Sequence, residues 1–141
     1  MEESFMIQPI NRNPLSLQQP SIPATLADWP VAQDLLATLA AHQAECIGMA
    51  ANMIGVHKQI IAVCLGPVNV AMLNPVLEKK RHPYQTTEGC LSLSGQRPTR
   101  RYQEITVRYL DQHGQVQRLS LSGIAAQAVQ HELDHCQGIL I

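Results

Sequence analysis

An α+β fold, with antiparallel strands packed around a C-terminal helix, follows from three features of this 141-residue sequence. Ile105-Thr106-Val107-Arg108-Tyr109 alternates apolar with polar residues, Asp111-Gln112-His113-Gly114 supplies a turn, and Val116 to Leu121 returns as a second strand, which together spell a β-hairpin. Apolar residues at helical spacing mark one helix early in the chain, at Val31, Leu35, Leu36 and Leu39. A second helix is marked close to the C-terminus, between a capping Ser122 and a terminating Gly138.

The elements follow in order. Residues 9 to 27 contain Pro9, Pro14, Pro20 and Pro23, which suits an extended wrapping segment rather than a helix. Asp28 is placed to cap a helix from about Pro30 to Gln43. Gly48 to Gly55 reads as a loop or strand edge lining a cleft, followed by strands near 58–65 and 68–73. Asn74-Pro75 marks a turn before a third strand near 76–82, and the hairpin and last helix complete the fold. No linker, repeat or low-complexity segment interrupts residues 1–141, so one domain is expected, large enough to bury roughly 68–70% of its unfolded surface.

The last helix carries His131-Glu132-Leu133-Asp134-His135, the pattern H-E-x-x-H. Residues i and i+4 share a helical face, so both imidazoles can reach one divalent ion, with Glu132 rotated by about 100° to stand beside it. There Glu132 can act as general base and then acid on a water that the ion has acidified. The competing explanation is a surface helix that happens to carry two histidines and two acids. Cys90, in Glu88-Gly89-Cys90-Leu91-Ser92, weighs against it by offering a third ligand. Three protein ligands leave one position open, as catalytic sites do, whereas structural zinc sites fill all four. A buried, inert thiol is the alternative for Cys90, and the preceding Gly89 would allow a tight backbone approach.

Composition narrows the function classes. The formal charge is −1, and the basic residues cluster only at Lys79-Lys80-Arg81 and between Arg97 and Arg101, so no specific nucleic-acid surface is expected. The longest apolar runs fall far short of the ~20 residues that span a bilayer, and the N-terminus shows no leader pattern, so a cytoplasmic protein without membrane association is expected. In that compartment the four cysteines stay reduced. Cys90 serves the ion, Cys64 packs within its apolar run, and Cys46 and Cys136 are free thiols; Cys136 lies one turn beyond Glu132 and so near the site.

Taken together, these residues resemble the peptide deformylases, metal hydrolases that remove the N-formyl group from the initiator methionine of new bacterial polypeptides. Gln130 to Gly138 is similar to the family's third motif, Q-H-E-x-D-H-L-x-G, with Cys136 at the leucine. Glu88 to Ser92 reproduces the second, E-G-C-L-S. Cys46 to Met53 matches the first, G-x-G-x-A-A-x-Q, in part, with Cys46 at the first glycine and Met53 at the glutamine. The motifs keep the family's order, and the similarity runs from about Met6 to Ile141.

The resemblance implies a peptide-deformylase-like fold and one divalent ion held by Cys90, His131 and His135. That ion is Fe(II) in the cell, although Zn, Ni or Co also suit one thiolate and two imidazoles. Glu132 would be the general base, and the Leu91 N–H would donate to the oxygen that becomes negative. The family's second donor is the glutamine replaced here by Met53, a loss that costs about 10²–10³ in turnover, unless the neighbouring Asn52 swings in as a substitute. An N-formylated peptide would lie against Ile47, Gly48 and Met53, its first side chain beside Ile124, Gln127 and Ala128. Gln127 stands where the family usually has an aliphatic residue, which makes that pocket more polar and opens the choice of acyl substrate. Asp134 is placed to orient an imidazole or to pair with an arginine, and Arg97 to anchor substrate or loop. The chain stops soon after Gly138, where Gram-negative members continue into a further helix, so a ribosome-docking extension is expected to be absent. Two rivals remain: a catalytically weak or inactive deformylase-like protein that binds peptides, favoured by Met53 and Cys46, and a zinc peptidase, for which a third His or Glu ligand downstream would be usual.

Overall fold

The computed structural model describes residues 6–140. Five strands form one antiparallel sheet in sequence order: β1 (Gly48–Ala50), β2 (Ile60–Cys64), β3 (Asn69–Gly89), β4 (Gln96–Leu110) and β5 (Val116–Ser122). A single helical turn, α1 (Pro14–Leu17), and two longer helices, α2 (Trp29–Ala41) and α3 (Gly123–Cys136), surround it.

The two long helices cover opposite faces of β1 and β2, which is why Ile60-Ile61-Ala62-Val63 reads as an unbroken apolar run. Ile60 and Ala62 pack with Leu35 and Leu39 of α2, Met49, Met53 and Leu73. Ile61 and Val63 point the other way and pack with Ala126 and Val129 of α3, Met72, Ile105 and Val107. Because side chains alternate along a strand, β1 splits in the same manner: Met49 joins the α2 core and Ala50 the α3 core. Gly48, two residues from Ala50, therefore belongs to the α3 side.

Four local expectations are corrected. Residues 14–17 are not extended, because Pro14 takes the first helical position and the Asn13 side chain accepts the Leu15 N–H at 3.0 Å. Asp28 precedes α2 without capping it; its carboxylate accepts the Thr25 N–H at 2.9 Å instead. Ser122 likewise precedes α3 with no side-chain cap bond. Asn74-Pro75 is not a turn between strands. Asn74 adopts φ 51° inside β3 and the register shifts between Leu73 and Val76, so the chain bulges and continues to Gly89. The strand at 83–89 and its partner at 96–104 lack apolar alternation and contain Pro83 and Pro98, which hid them from sequence reading.

Gly138 ends α3 as expected, with φ 76° and the Ile139 N–H returning to the Asp134 carbonyl at 3.0 Å. It also meets the N-terminal segment so closely that a Cβ there would collide with the Gln18 carbonyl. Gly138→Ala should therefore destabilise the fold by more than about 1 kcal/mol, read as a lowered thermal midpoint; an unchanged midpoint would contradict this packing.

Candidate metal centre and active site

Cys90 follows the last residue of β3, and His131 and His135 stand one turn apart on α3. The fold brings one ligand atom from each to within 4.8 Å of the others. The Cys90 sulfur lies 3.2 Å from His135 Nε2. His131 turns its Nδ1 away, to Glu88 Oε1 at 2.8 Å, which fixes the ring so that Nε2 faces the cluster.

The electrostatics around these atoms favour a cation. Burial opposes a charge on His131, yet its hydrogen bonds to Cys90 and Glu88 outweigh that penalty and hold its proton up to about 10. A group that retains a proton between two potential anions marks a place where positive charge is stabilised. Burial, followed by the charges of His131 and Arg101, pushes His135 down to about 3, which leaves it the neutral imidazole that metal ligation requires. Glu132 stands beside them, 4% exposed, and its Oε1 is buried with no hydrogen-bond partner among the described residues. Burial chiefly raises its carboxyl to about 7. One thiolate donor, two imidazoles and an unsatisfied carboxylate oxygen fit a divalent ion with one open position.

Behind the ligands lies a carboxylate network. Arg101 reaches Glu88 with Nη2 to Oε1 at 2.7 Å and Nε to Oε2 at 3.0 Å, while its Nη1 meets Asp134 Oδ2 at 2.7 Å. Gln127 Nε2 adds a bond to Glu88 Oε2 at 2.8 Å. Burial alone would raise Glu88, but the bonds from His131, Arg101 and Gln127 prevail and hold it at about 2. Of the two roles open to Asp134, the structure shows the pairing with arginine. Arg101 itself escaped sequence reading, since nothing local separates it from the adjacent Arg100.

A cavity of about 690 Å³ opens beside the cluster and gathers most of the remaining candidates. Ile47, Gly48, Met53, Leu91, Gln127 and Ala128 line it together with Cys90, His131 and Glu132. Ile124 does not: in the first turn of α3 it points to solvent, 71% exposed, so its expected place in a side-chain pocket is corrected. The Leu91 N–H has no acceptor among the described residues and is free to donate. Met53 is 1% exposed and its sulfur accepts the Ala50 N–H at 3.5 Å. Asn52 does not line the cavity: it is fully buried, and its Nδ2 donates to the His135 carbonyl at 2.9 Å. Cys136 packs in the α3 core, where burial pushes its thiol up to about 12. Arg97 sits across from Glu88 in the β3–β4 register and bonds the Ser94 carbonyl at 3.5 Å, a loop contact. Gly89 has room for a Cβ, the nearest atom lying 3.5 Å away, so the tight approach expected there is not used.

Comparison with known proteins agrees with this geometry. The polypeptide deformylase family model matches residues 7–141. The chain belongs to the peptide deformylase family. A peptide deformylase of Clostridium beijerinckii is 48% identical over 136 residues, covering 96% of this chain and all (100%) of that protein. One from Nitrosococcus oceani is 37% identical over 114 residues, covering 78% of this chain and 67% of that one. The structure matches a Met-Ala-Ser-bound class I type b peptide deformylase of Acinetobacter baumannii with a TM-score of 0.85 at 25% identity, over 96% of this chain and 97% of the other. A Legionella pneumophila deformylase gives a TM-score of 0.85 at 27% identity, over 95% and 83%. Deformylases are metal-dependent hydrolases of formylated peptides, and among the described residues the three-ligand cluster is suited to such an ion.

Gly48 shows how closely motif I approaches the helix. A Cβ there would stand 3.0 Å from Glu132 Oε2, 3.2 Å from its Cγ and 3.3 Å from Val63 Cγ1. Gly48→Ala should push the Glu132 carboxylate aside and lower deformylase turnover roughly tenfold while metal content stays constant; wild-type turnover would show that Glu132 tolerates displacement.

Proposed function

We propose that this protein removes the formyl group from peptides beginning with formyl-methionine, with Cys90, His131 and His135 holding one divalent ion, Fe(II) in the cell. The observation that carries the proposal is the convergence of those three donors beside a buried, unpartnered carboxylate oxygen of Glu132. Zinc, nickel or cobalt would occupy the same donors, since ligand softness does not separate them. When bound, the ion supplies Lewis acidity, polarising the formyl carbonyl and lowering the pKa of water from 15.7 towards about 7.

The protein's own groups do the rest. Glu132 takes the proton from the attacking water and returns it to the departing amine; burial, which raises its carboxyl, favours holding that proton between the two transfers. Leu91 lines the cavity, and its N–H, which has no acceptor among the described residues, donates to the carbonyl oxygen as it gains charge. Glu88 holds His131 in the tautomer that leaves Nε2 for the ion. Gly48 gives Glu132 the space it occupies. The peptide enters along Ile47 and the motif I backbone, and its first side chain lies near Gln127 and Ala128.

Two features modulate the reaction. Met53 presents a thioether where the family has an amide donor, so the oxyanion depends on Leu91 and the ion. One N–H of the Gln127 amide is engaged by Glu88, and the rest of that amide adds polar character to the pocket wall. The reading of a weakened enzyme rests on Met53; the peptidase alternative would call for a third His or Glu ligand downstream, whereas the third ligand atom of the cluster among the described residues is the Cys90 sulfur.

The proposal is tested by anaerobic hydrolysis of formyl-Met-Ala-Ser with the Fe(II)-loaded protein, where formate release is expected. Glu132→Gln should keep the ion and the fold yet lose most of that release, because the amide cannot accept the proton; undiminished release would remove Glu132 from its role. Met53→Gln should raise turnover by up to about 10²-fold, with little change in KM, since the restored donor bonds most strongly to the oxygen once it is charged. An unchanged rate with the ion in place would show that Met53 does not limit the reaction.

A further inference from the structure

We infer that Arg101 is a positioning residue for the metal centre, acting through Glu88 and Asp134 to set where the two histidines stand; this inference rests on the ligand set proposed above. Arg101 lies on β4, touches none of the ligands by hydrogen bond, and is 4% exposed. Its guanidinium forks onto Glu88, with Nη2 at 2.7 Å from Oε1 and Nε at 3.0 Å from Oε2. Glu88 Oε1 in turn receives His131 Nδ1 at 2.8 Å. The remaining arm, Nη1, is 2.7 Å from Asp134 Oδ2, one residue before His135 on α3. One rigid cation thus fixes the carboxylate behind the first histidine, the helix residue beside the second, and the strand end that leads into Cys90.

Fold stability alone is a poor reason for this arrangement. A buried ion pair gains little over an apolar replacement because both charges must leave water. Its planar, bidentate fork does impose direction on the Glu88 carboxylate, which a lysine cannot do. Simple electrostatics gives the opposite expectation to positioning. Removing a cation near a dication site, and leaving the negative charge of Glu88 without its arginine, should tighten metal binding if charge were all that Arg101 contributed. Positioning demands that binding weaken.

The test measures zinc affinity by competition with a chromophoric chelator, together with the visible spectrum of the Co(II)-loaded protein, for the wild type and for Arg101→Lys, Arg101→Met and Asp134→Asn. Arg101→Lys and Arg101→Met should each raise the zinc dissociation constant by about 10–100-fold and shift the Co(II) bands, as loss of a ligand's supporting partner does. Asp134→Asn should move both readouts in the same direction by less. Should either arginine variant fail to fold, the other and Asp134→Asn carry the same test. Equal affinity and an identical Co(II) spectrum in the folded variants, or tighter binding in Arg101→Met, would overturn the inference even if their thermal midpoints fell. Failure of the wild type to bind zinc or to give thiolate-to-cobalt absorption would instead overturn the ligand set on which it rests.

Discussion

The Glu88 carboxylate, buried between β3, β4 and α3, accepts hydrogen bonds from His131, Arg101 and Gln127, and these bonds hold it ionised against the cost of burial. Unpaired, such a charge would neutralise or drive the surrounding elements apart. Paired, it fastens the strand end that carries Cys90 to the helix that carries both histidines. The sheet and the two cores bring these elements together approximately; this cluster of charge-assisted bonds sets their register. Gly48 performs the complementary task on the other side, letting β1 approach until its backbone lies against Glu132. The site is therefore gripped from both sides, by polar bonds behind His131 and by close backbone contact beside Glu132.

Much of this was legible in the sequence because the chemistry imposes local spacing. Two histidines four residues apart can share an ion only on a helix, and the helix is found there. The hairpin from Ile105 to Leu121 declared itself by alternation and a turn, since one face of each strand is buried and the other exposed. What escaped sequence reading depends on distant partners. Residues 83–89 pair with 96–102, and within these stretches Tyr102 alone packs against a core, so no apolar rhythm marks them. Arg101 draws its meaning from Glu88 and Asp134, 13 and 33 residues away. Ile124, placed in the pocket by the family resemblance, sits in the first turn of α3, where its side chain meets solvent.

Met53 is the clearest case in which sequence and structure together say more than either alone. The motif shows a donor replaced by a thioether. The structure adds that the thioether is buried and accepts the Ala50 N–H, and that the adjacent Asn52 donates to the His135 carbonyl and does not line the cavity. The chain thus keeps Cys90, Leu91, His131, Glu132 and His135 of the deformylase motifs while a buried thioether stands at the motif's glutamine, which on the proposed mechanism offers one fewer donor to the developing charge. Because oxyanion donors act mainly in the transition state, the change bears on turnover more than on peptide binding.

The central claim is that one thiolate and two imidazoles of this chain hold a single divalent ion with a position left open. X-ray absorption at the zinc edge of the zinc-loaded protein tests it most directly. The account predicts one sulfur scatterer at about 2.3 Å and two imidazole nitrogens at about 2.0–2.1 Å, completed by one light atom. A first shell without sulfur, or one with two or more sulfurs, would contradict it.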